Sequence, residues 1–143
     1  MKKEYKYSEM TDKIIEIFYR VYRELGYGFL ESVYQNALYY ELKNSGFEVE
    51  SKKSIEVYYK SQLVGKYVAD LIVNDKIILE LKAADFLLEE HEFQLVNYLR
   101  ATEIEVGLLL NFGKKPELKR KAFDNKRKNL RQSAREASAS SAF

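Results

Sequence analysis

Two acids and a lysine sit inside apolar β-type runs between Ala69 and Lys82, ADLIVNDKIILELK. Asp70, Glu80 and Lys82 would be costly there unless paired or bound to a metal. Strand side chains alternate faces, so Asp70 and Glu80 share a face only if an odd number of residues forms the loop. With Asn74, Asp75 and Lys76 as a three-residue loop, Asp70 falls opposite Glu80. A two-residue loop would put them on opposite faces. Lys82 shares the Glu80 face in either case. The three-residue loop therefore predicts two carboxylates and an ammonium at one point on a sheet. That set suits a hard divalent cation such as Mg²⁺, which takes oxygen ligands, usually one or two carboxylates with water and phosphate. Such an ion acidifies a bound water and offsets charge building on phosphorus, and a nearby lysine holds the attacking water or adds to that offset. Asp-x9-Glu-x-Lys is a weak signal alone. It also describes a hairpin whose charged side faces water, with Lys82 neutralising Glu80. Val68 and Ile72 on the Asp70 face, and Ile78 on the Glu80 face, weigh against full solvation.

The elements that must position these residues follow from periodicity. Ile14, Ile17, Phe18, Val21, Tyr22 and Leu25 recur as one face of a helix over about Ser8 to Leu25, with Ser8, Thr11 and Asp12 as capping candidates. A second helix is predicted from about Leu30 to Asn44, with Leu30, Val33, Tyr34, Ala37, Leu38 and Leu42 as its stripe. Asn44-Ser45-Gly46 ends it. Glu31 in its first turn complements the helix dipole on the simplest reading. Strands are predicted over 47–59, 63–73 and 77–81, then a third helix over 86–102 with Leu88, Leu95 and Leu99 buried. His91, Gln94 and Tyr98 line its shoulder. Ile104 to Leu110 returns as a strand, and the strand–helix–strand order suggests parallel pairing. Leu118 to Phe123 reads as a short edge strand. The organisation is one domain over 1–125 and a basic, then Ser/Ala-rich tail over 126–143.

Composition narrows the function classes. The chain has 143 residues, 46% hydrophobic and 32% charged, which fits a globular domain. It has no cysteine, so disulfides and thiolate metal sites are excluded, and a cytoplasmic setting is compatible. One histidine, His91, excludes multi-histidine metal sites. No apolar run is long enough to span a membrane, and the N-terminus lacks a signal-peptide core. Lys114 to Arg131 holds nine basic and two acidic residues, which leaves the rest of the chain net acidic. That run is either a solvated surface or a phosphate-binding arm.

The order of helix, Asp70 hairpin, Glu80-Leu81-Lys82 strand and Gln94 helix resembles the core of the PD-(D/E)XK nuclease superfamily. More closely, Gly28-Phe29-Leu30-Glu31-Ser32-Val33-Tyr34 is similar to the motif of the GxxExxY family of small prokaryotic proteins, which is placed in that superfamily. LELKA at 79–83, HEFQLVNYLR at 91–100 and GLLLNFG at 107–113 extend the resemblance over roughly residues 8 to 125. It implies that Asp70 and Glu80 are metal-binding acids, with the Leu81 carbonyl beside them, and that Lys82 is the catalytic lysine. It implies that Glu31 supports or completes the metal site, and that Gln94 and Tyr98 form the Gln-x-x-x-Tyr pattern of the RecB-like branch. In that branch a histidine sometimes joins the ligands, which is the functional reading of His91; the structural one is a helix-shoulder residue. Ala69 stands where the superfamily often has proline.

The expected fold is α/β and restriction-endonuclease-like, a mixed central sheet flanked by helices in αα-βββ-α-β order. The expected function is Mg²⁺- or Mn²⁺-dependent hydrolysis of phosphodiester bonds in nucleic acid, DNA ahead of RNA. Nucleic acid is the expected partner, with no membrane association and a homodimer left open. The rivals are a catalytically inactive nucleic-acid- or protein-binding module on the same fold, and a structural role in a larger assembly.

Overall fold

Ile14, Ile17, Phe18 and Val21 recur at helical spacing and are all buried on one face of α1, Ser8–Leu25, in the computed structural model, which describes residues 5–128. The expected Ser8 cap is not made. Ser8 already lies inside the helix, behind Tyr7 in a left-handed conformation (φ 57°), and the Thr11 hydroxyl donates back to the Ser8 carbonyl at 3.1 Å. In α2, Glu31–Asn44, Tyr34, Leu38 and Leu42 are buried as expected, together with Gln35. Leu30 and Val33 are not; they are 77% and 36% exposed. The stripe meets the core only from Tyr34 onward, so the first turn has nothing apolar to bury against. Gly46, at φ 93°, closes the helix by letting the Phe47 N–H reach back to the Leu42 carbonyl at 3.2 Å.

Five strands form one sheet in the order β1 (Val49–Tyr59), β2 (Gln62–Val73), β3 (Ile77–Lys82), β4 (Val106–Phe112), β5 (Pro116–Ala122), with α3 (Glu89–Ala101) between β3 and β4. The pairings are antiparallel except β3 with β4, which is parallel as the strand–helix–strand order predicts. β5 begins at Pro116, earlier than expected, at a sheet edge where its missing N–H costs no ladder bond. α3 is shorter than expected: Phe86 lies outside it, and Leu88 precedes its first turn, exposed rather than buried.

β3 is buried on both faces, which explains its unbroken apolar run apart from Glu80. Leu79 and Leu81 pack with α1 and α2; Ile78 packs with Leu95 and Leu99 of α3. The helix lies close enough that a Cβ on Gly107 would meet Leu95 at 2.7 Å. The β2–β3 loop is Asn74-Asp75-Lys76, since Val73 pairs with Ile77. Asn74 and Asp75 take left-handed conformations (φ 52° and 54°), which their short polar side chains tolerate. Asn74 Oδ1 also accepts the Glu48 N–H at 2.8 Å, pinning the loop to the chain entering β1.

β2 pairs with β3 only from Leu71 to Val73. Beyond that, β1 and β2 leave together as a two-stranded arm that turns at Lys60-Ser61. Val68, on this arm, is 51% exposed, so it does not give Asp70 the apolar surroundings its spacing suggested. At the other end, Asn125–Lys128, expected mostly in the tail, form a 3-10 turn. Lys128 is buried and its Nζ donates to the carbonyls of Thr102 and Ile104, at 3.1 and 2.7 Å. The remainder of the expected tail lies outside the described residues. Among the described residues, no helix is long and apolar enough to cross a membrane.

Candidate active site

The candidate site begins where the β2–β3 ladder stops. One step past the Leu71–Leu79 pair, the register sets Asp70 opposite Glu80. Here side chains replace backbone partners. The Leu81 N–H donates to Asp70 Oδ2 at 2.8 Å, and the Asp70 N–H donates to Glu80 Oε1 at 3.2 Å. The two carboxylates thus occupy the fork from which the arm departs. Glu80 is 7% exposed. Burial first, and the Asp70 carboxylate second, push its carboxyl up to about 8. Lys82, two residues on and half-buried, pairs with Asn111 in β4 and partly offsets that push. In a strand the N–H and C=O of one residue leave the same edge. The Leu81 carbonyl therefore points from the same edge of β3 as the N–H that bonds Asp70.

α2 brings the next residues. Gly28, at φ 114°, bends the chain ahead of the helix in a way that L side chains resist. The Tyr34 hydroxyl donates to the Gly26 carbonyl at 2.6 Å and accepts the Phe29 N–H at 3.2 Å. Its ring stacks on Phe112, with centroids 4.4 Å apart. This clamp ties the loop to the sheet and sets where α2 starts. The first turn then carries Glu31 into the field of the site. Burial raises its carboxyl above the ordinary range; Lys82 opposes that, Asp70 adds to it, and Lys52 and His91 oppose it more weakly. So Glu31 lies within electrostatic reach of the acid pair and its lysine.

One turn further, Gln35 is buried and was not singled out from the sequence. Its Nε2 donates to the Asp70 carbonyl at 3.2 Å and to Ser51 Oγ at 3.4 Å, and its Oε1 accepts from Lys52 Nζ at 3.5 Å. Lys52 stands between the Ser51–Leu71 and Lys53–Ala69 pairs, hence beside Asp70, at φ 58°. The available signal was the i, i+4 offset from Glu31 to Gln35, which stacks the two on one helix face.

α3 closes the other side. Tyr98 is buried, and its hydroxyl is pushed up to about 12 by burial first, then by Glu80 and Asp70. The side chain of Gln94 hydrogen-bonds it. His91 Nδ1 accepts the Leu88 N–H at 3.1 Å, so it caps the start of α3. This gives the helix-shoulder reading of His91 a physical basis.

The donor chemistry fits a hard divalent cation. Two carboxylates meet at one point, repel each other, and one of them holds its proton to an unusually high pH, a pair that positive charge would relieve. Asp70 and Glu80, with the Leu81 carbonyl, would hold such an ion. Among the described residues, no group of three or more His, Asp or Glu side chains converges on one point, so Glu31 and His91 are not gathered with the pair.

A mixed five-stranded sheet, helices on both faces and an Asp–Glu–Lys set at the fork of β2 and β3 define a restriction-endonuclease-like α/β protein. The family model described as the PD-(D/E)XK nuclease superfamily matches residues 8–121, and the chain belongs to that superfamily. The crystal structure of SSO0001 is similar, with 19% identity over 90% of this chain and 67% of that one, and a TM-score of 0.53; this shows a shared fold. An alkaline exonuclease, LHK-Exo from Laribacter hongkongensis, is 11% identical over 96% of this chain and 81% of that one, with a TM-score of 0.40. No curated protein matches the sequence.

Proposed function

We propose that this protein is a divalent-metal-dependent nuclease, with DNA ahead of RNA as substrate and Mg²⁺ or Mn²⁺ as the ion. The observation that carries this is the Asp70–Glu80 pair at the end of the β2–β3 ladder, with Lys82 on the same strand. Asp70, Glu80 and the Leu81 carbonyl hold the ion, which when bound acidifies water and offsets phosphate charge. Lys82 positions the attacking water and stabilises negative charge developing on the phosphate oxygens. Glu31 supports the metal site from the first turn of α2, within electrostatic reach of Asp70 and Lys82. Gln94 and Tyr98 brace the acid pair from α3, and His91 holds the start of that helix. Within the superfamily we place the chain in the GxxExxY family, on Gly28, Glu31 and Tyr34, with RecB-like features in Gln94 and Tyr98. Residues 1–125 act as one nuclease domain, followed by a basic, then Ser/Ala-rich tail over 126–143. The protein works in the cytoplasm.

The test is incubation of purified protein with labelled single- and double-stranded DNA and RNA, in Mg²⁺, Mn²⁺ or EDTA. Cleavage that requires the metal is the expected result. Tight binding with no cleavage in any metal overturns it in favour of a binding module, and sedimentation of the same sample decides whether the working unit is a homodimer.

A further inference from the structure

A groove of about 450 Å³ opens between the β1–β2 arm and α3, lined by Tyr67 on one side and by Glu90, Phe93, Asn97 and Tyr98 on the other. It adjoins the acid pair, because Tyr98 shares its wall and feels the Glu80 and Asp70 carboxylates. The Tyr67 and Tyr98 rings have centroids 5.2 Å apart and planes tilted by 50° rather than stacked, so the arm-side ring still offers surface to a third plane. Phe93 is 63% exposed and Tyr67 45%.

Charge decides what fits. Among the described residues, the lining contains no lysine or arginine; it contains the Glu90 carboxylate, and the His91 imidazole, whose Nδ1 accepts the Leu88 N–H. A phosphate would be repelled. A nucleobase would not: its faces stack on aromatic rings, and its ring nitrogens and exocyclic groups match the amides of Gln94 and Asn97 and the Glu90 carboxylate. The cationic side of the site, Lys82 and Lys52, lies with Glu31 and the acid pair instead. A strand crossing the site can therefore direct its phosphates to the lysines and a base into the groove. In a duplex the bases are paired and stacked, and their faces are not available.

We propose that this groove takes an unpaired nucleobase, which makes single-stranded nucleic acid the substrate class of the site. The inference rests on the nuclease reading above. Tyr67 and Phe93 supply the stacking surface, and Glu90 and Asn97 the hydrogen-bonding edge.

Fluorescence anisotropy tests it, using a labelled oligonucleotide as single strand, as duplex, and as a single strand carrying abasic sites, with Ca²⁺ in place of Mg²⁺. Wild type is expected to bind the single strand about tenfold or more tighter than the duplex or the abasic strand. Tyr67→Ala and Phe93→Ala, at exposed positions, should each lose about tenfold for the single strand. They should also cease to distinguish it from the abasic strand, while Tyr67→Phe keeps the distinction. Equal wild-type affinity for the normal and abasic strands overturns the proposal. If metal-dependent cleavage of duplex persists in that case, only the groove assignment falls. If no nucleic acid is bound or cut, the nuclease reading falls with it.

Discussion

Asp70 and Leu81 are joined by a hydrogen bond that a regular ladder would have given to two backbones: the Leu81 N–H donates to Asp70 Oδ2 at 2.8 Å. The carboxylate thus ends the β2–β3 pairing and stays beside Glu80. An asparagine side chain keeps an oxygen for that N–H and removes the repulsion. Asp70→Asn should therefore fold as stably as wild type without metal, or more so. Asp70→Ala should lose about 1–3 kcal/mol, because the Leu81 donor is left without its acceptor. In wild type, millimolar Mg²⁺ or Mn²⁺ should raise the melting temperature, and Asp70→Asn should lose that rise. Thermal melts with and without metal decide this. A collapsed Asp70→Asn apo fold would make the acid structural.

Glu80 predicts a pH dependence whose sign follows from its raised carboxyl, about 8 in the folded chain. Below an ordinary glutamate pKa of about 4.3 both states are protonated and the group is neutral to stability. As pH rises from there to about 8, the unfolded chain releases this proton while the folded chain keeps it. Stability should fall through that window, by on the order of 5 kcal/mol at most, and level off above it. Glu80→Gln should remove this slope and be the more stable protein at pH 8. Denaturant titrations across the window, without metal, measure it; parallel curves for the two proteins would refute the burial argument.

Lys82 separates holding the ion from using it. It is half-buried and lies on the strand of Glu80 without ligating. Lys82→Ala should keep most of the metal-dependent rise in melting temperature and lose turnover by about a hundredfold or more, the scale of a lost charge stabiliser. Loss of the metal response along with turnover would show that the ammonium mainly steadies the acid pair.

Tyr34 predicts a coupling between a loop and the site. Tyr34→Phe keeps the stack on Phe112 and removes the bonds to Gly26 and Phe29. It should cost about 1 kcal/mol and lower turnover through Glu31, whose helix turn is then less well held. Gly28→Ala, at φ 114°, should cost about 1–3 kcal/mol in backbone strain although nothing crowds its Cβ. Equilibrium unfolding with single-turnover rates tests both; unchanged turnover in Tyr34→Phe would detach the clamp from catalysis.

The parts of this protein that were legible in the sequence are those set by local repeat. Side-chain alternation makes the pairing of Asp70 with Glu80 conditional on an odd loop, and the Val73–Ile77 register supplies that loop as Asn74-Asp75-Lys76. The parallel β3–β4 pairing follows from strand–helix–strand order. The spacing of Gly28, Glu31 and Tyr34 fixes them on one bend and one helix turn. What the tertiary structure decided is where each element stops being covered. Leu30, Val33 and Val68 fit apolar patterns and are nonetheless exposed, because α2 begins and the arm departs beyond the packed core. Gln35 is polar and nonetheless buried, because α2 sets it over the fork, where the Asp70 carbonyl accepts its side-chain N–H. The groove along α3 lies where the β1–β2 arm continues past the last β2–β3 ladder pair, Leu71 with Leu79, a break that the strand pattern does not announce. Periodicity reports which face of an element is apolar; burial depends on what long-range packing puts against that face, and no local pattern carries that information.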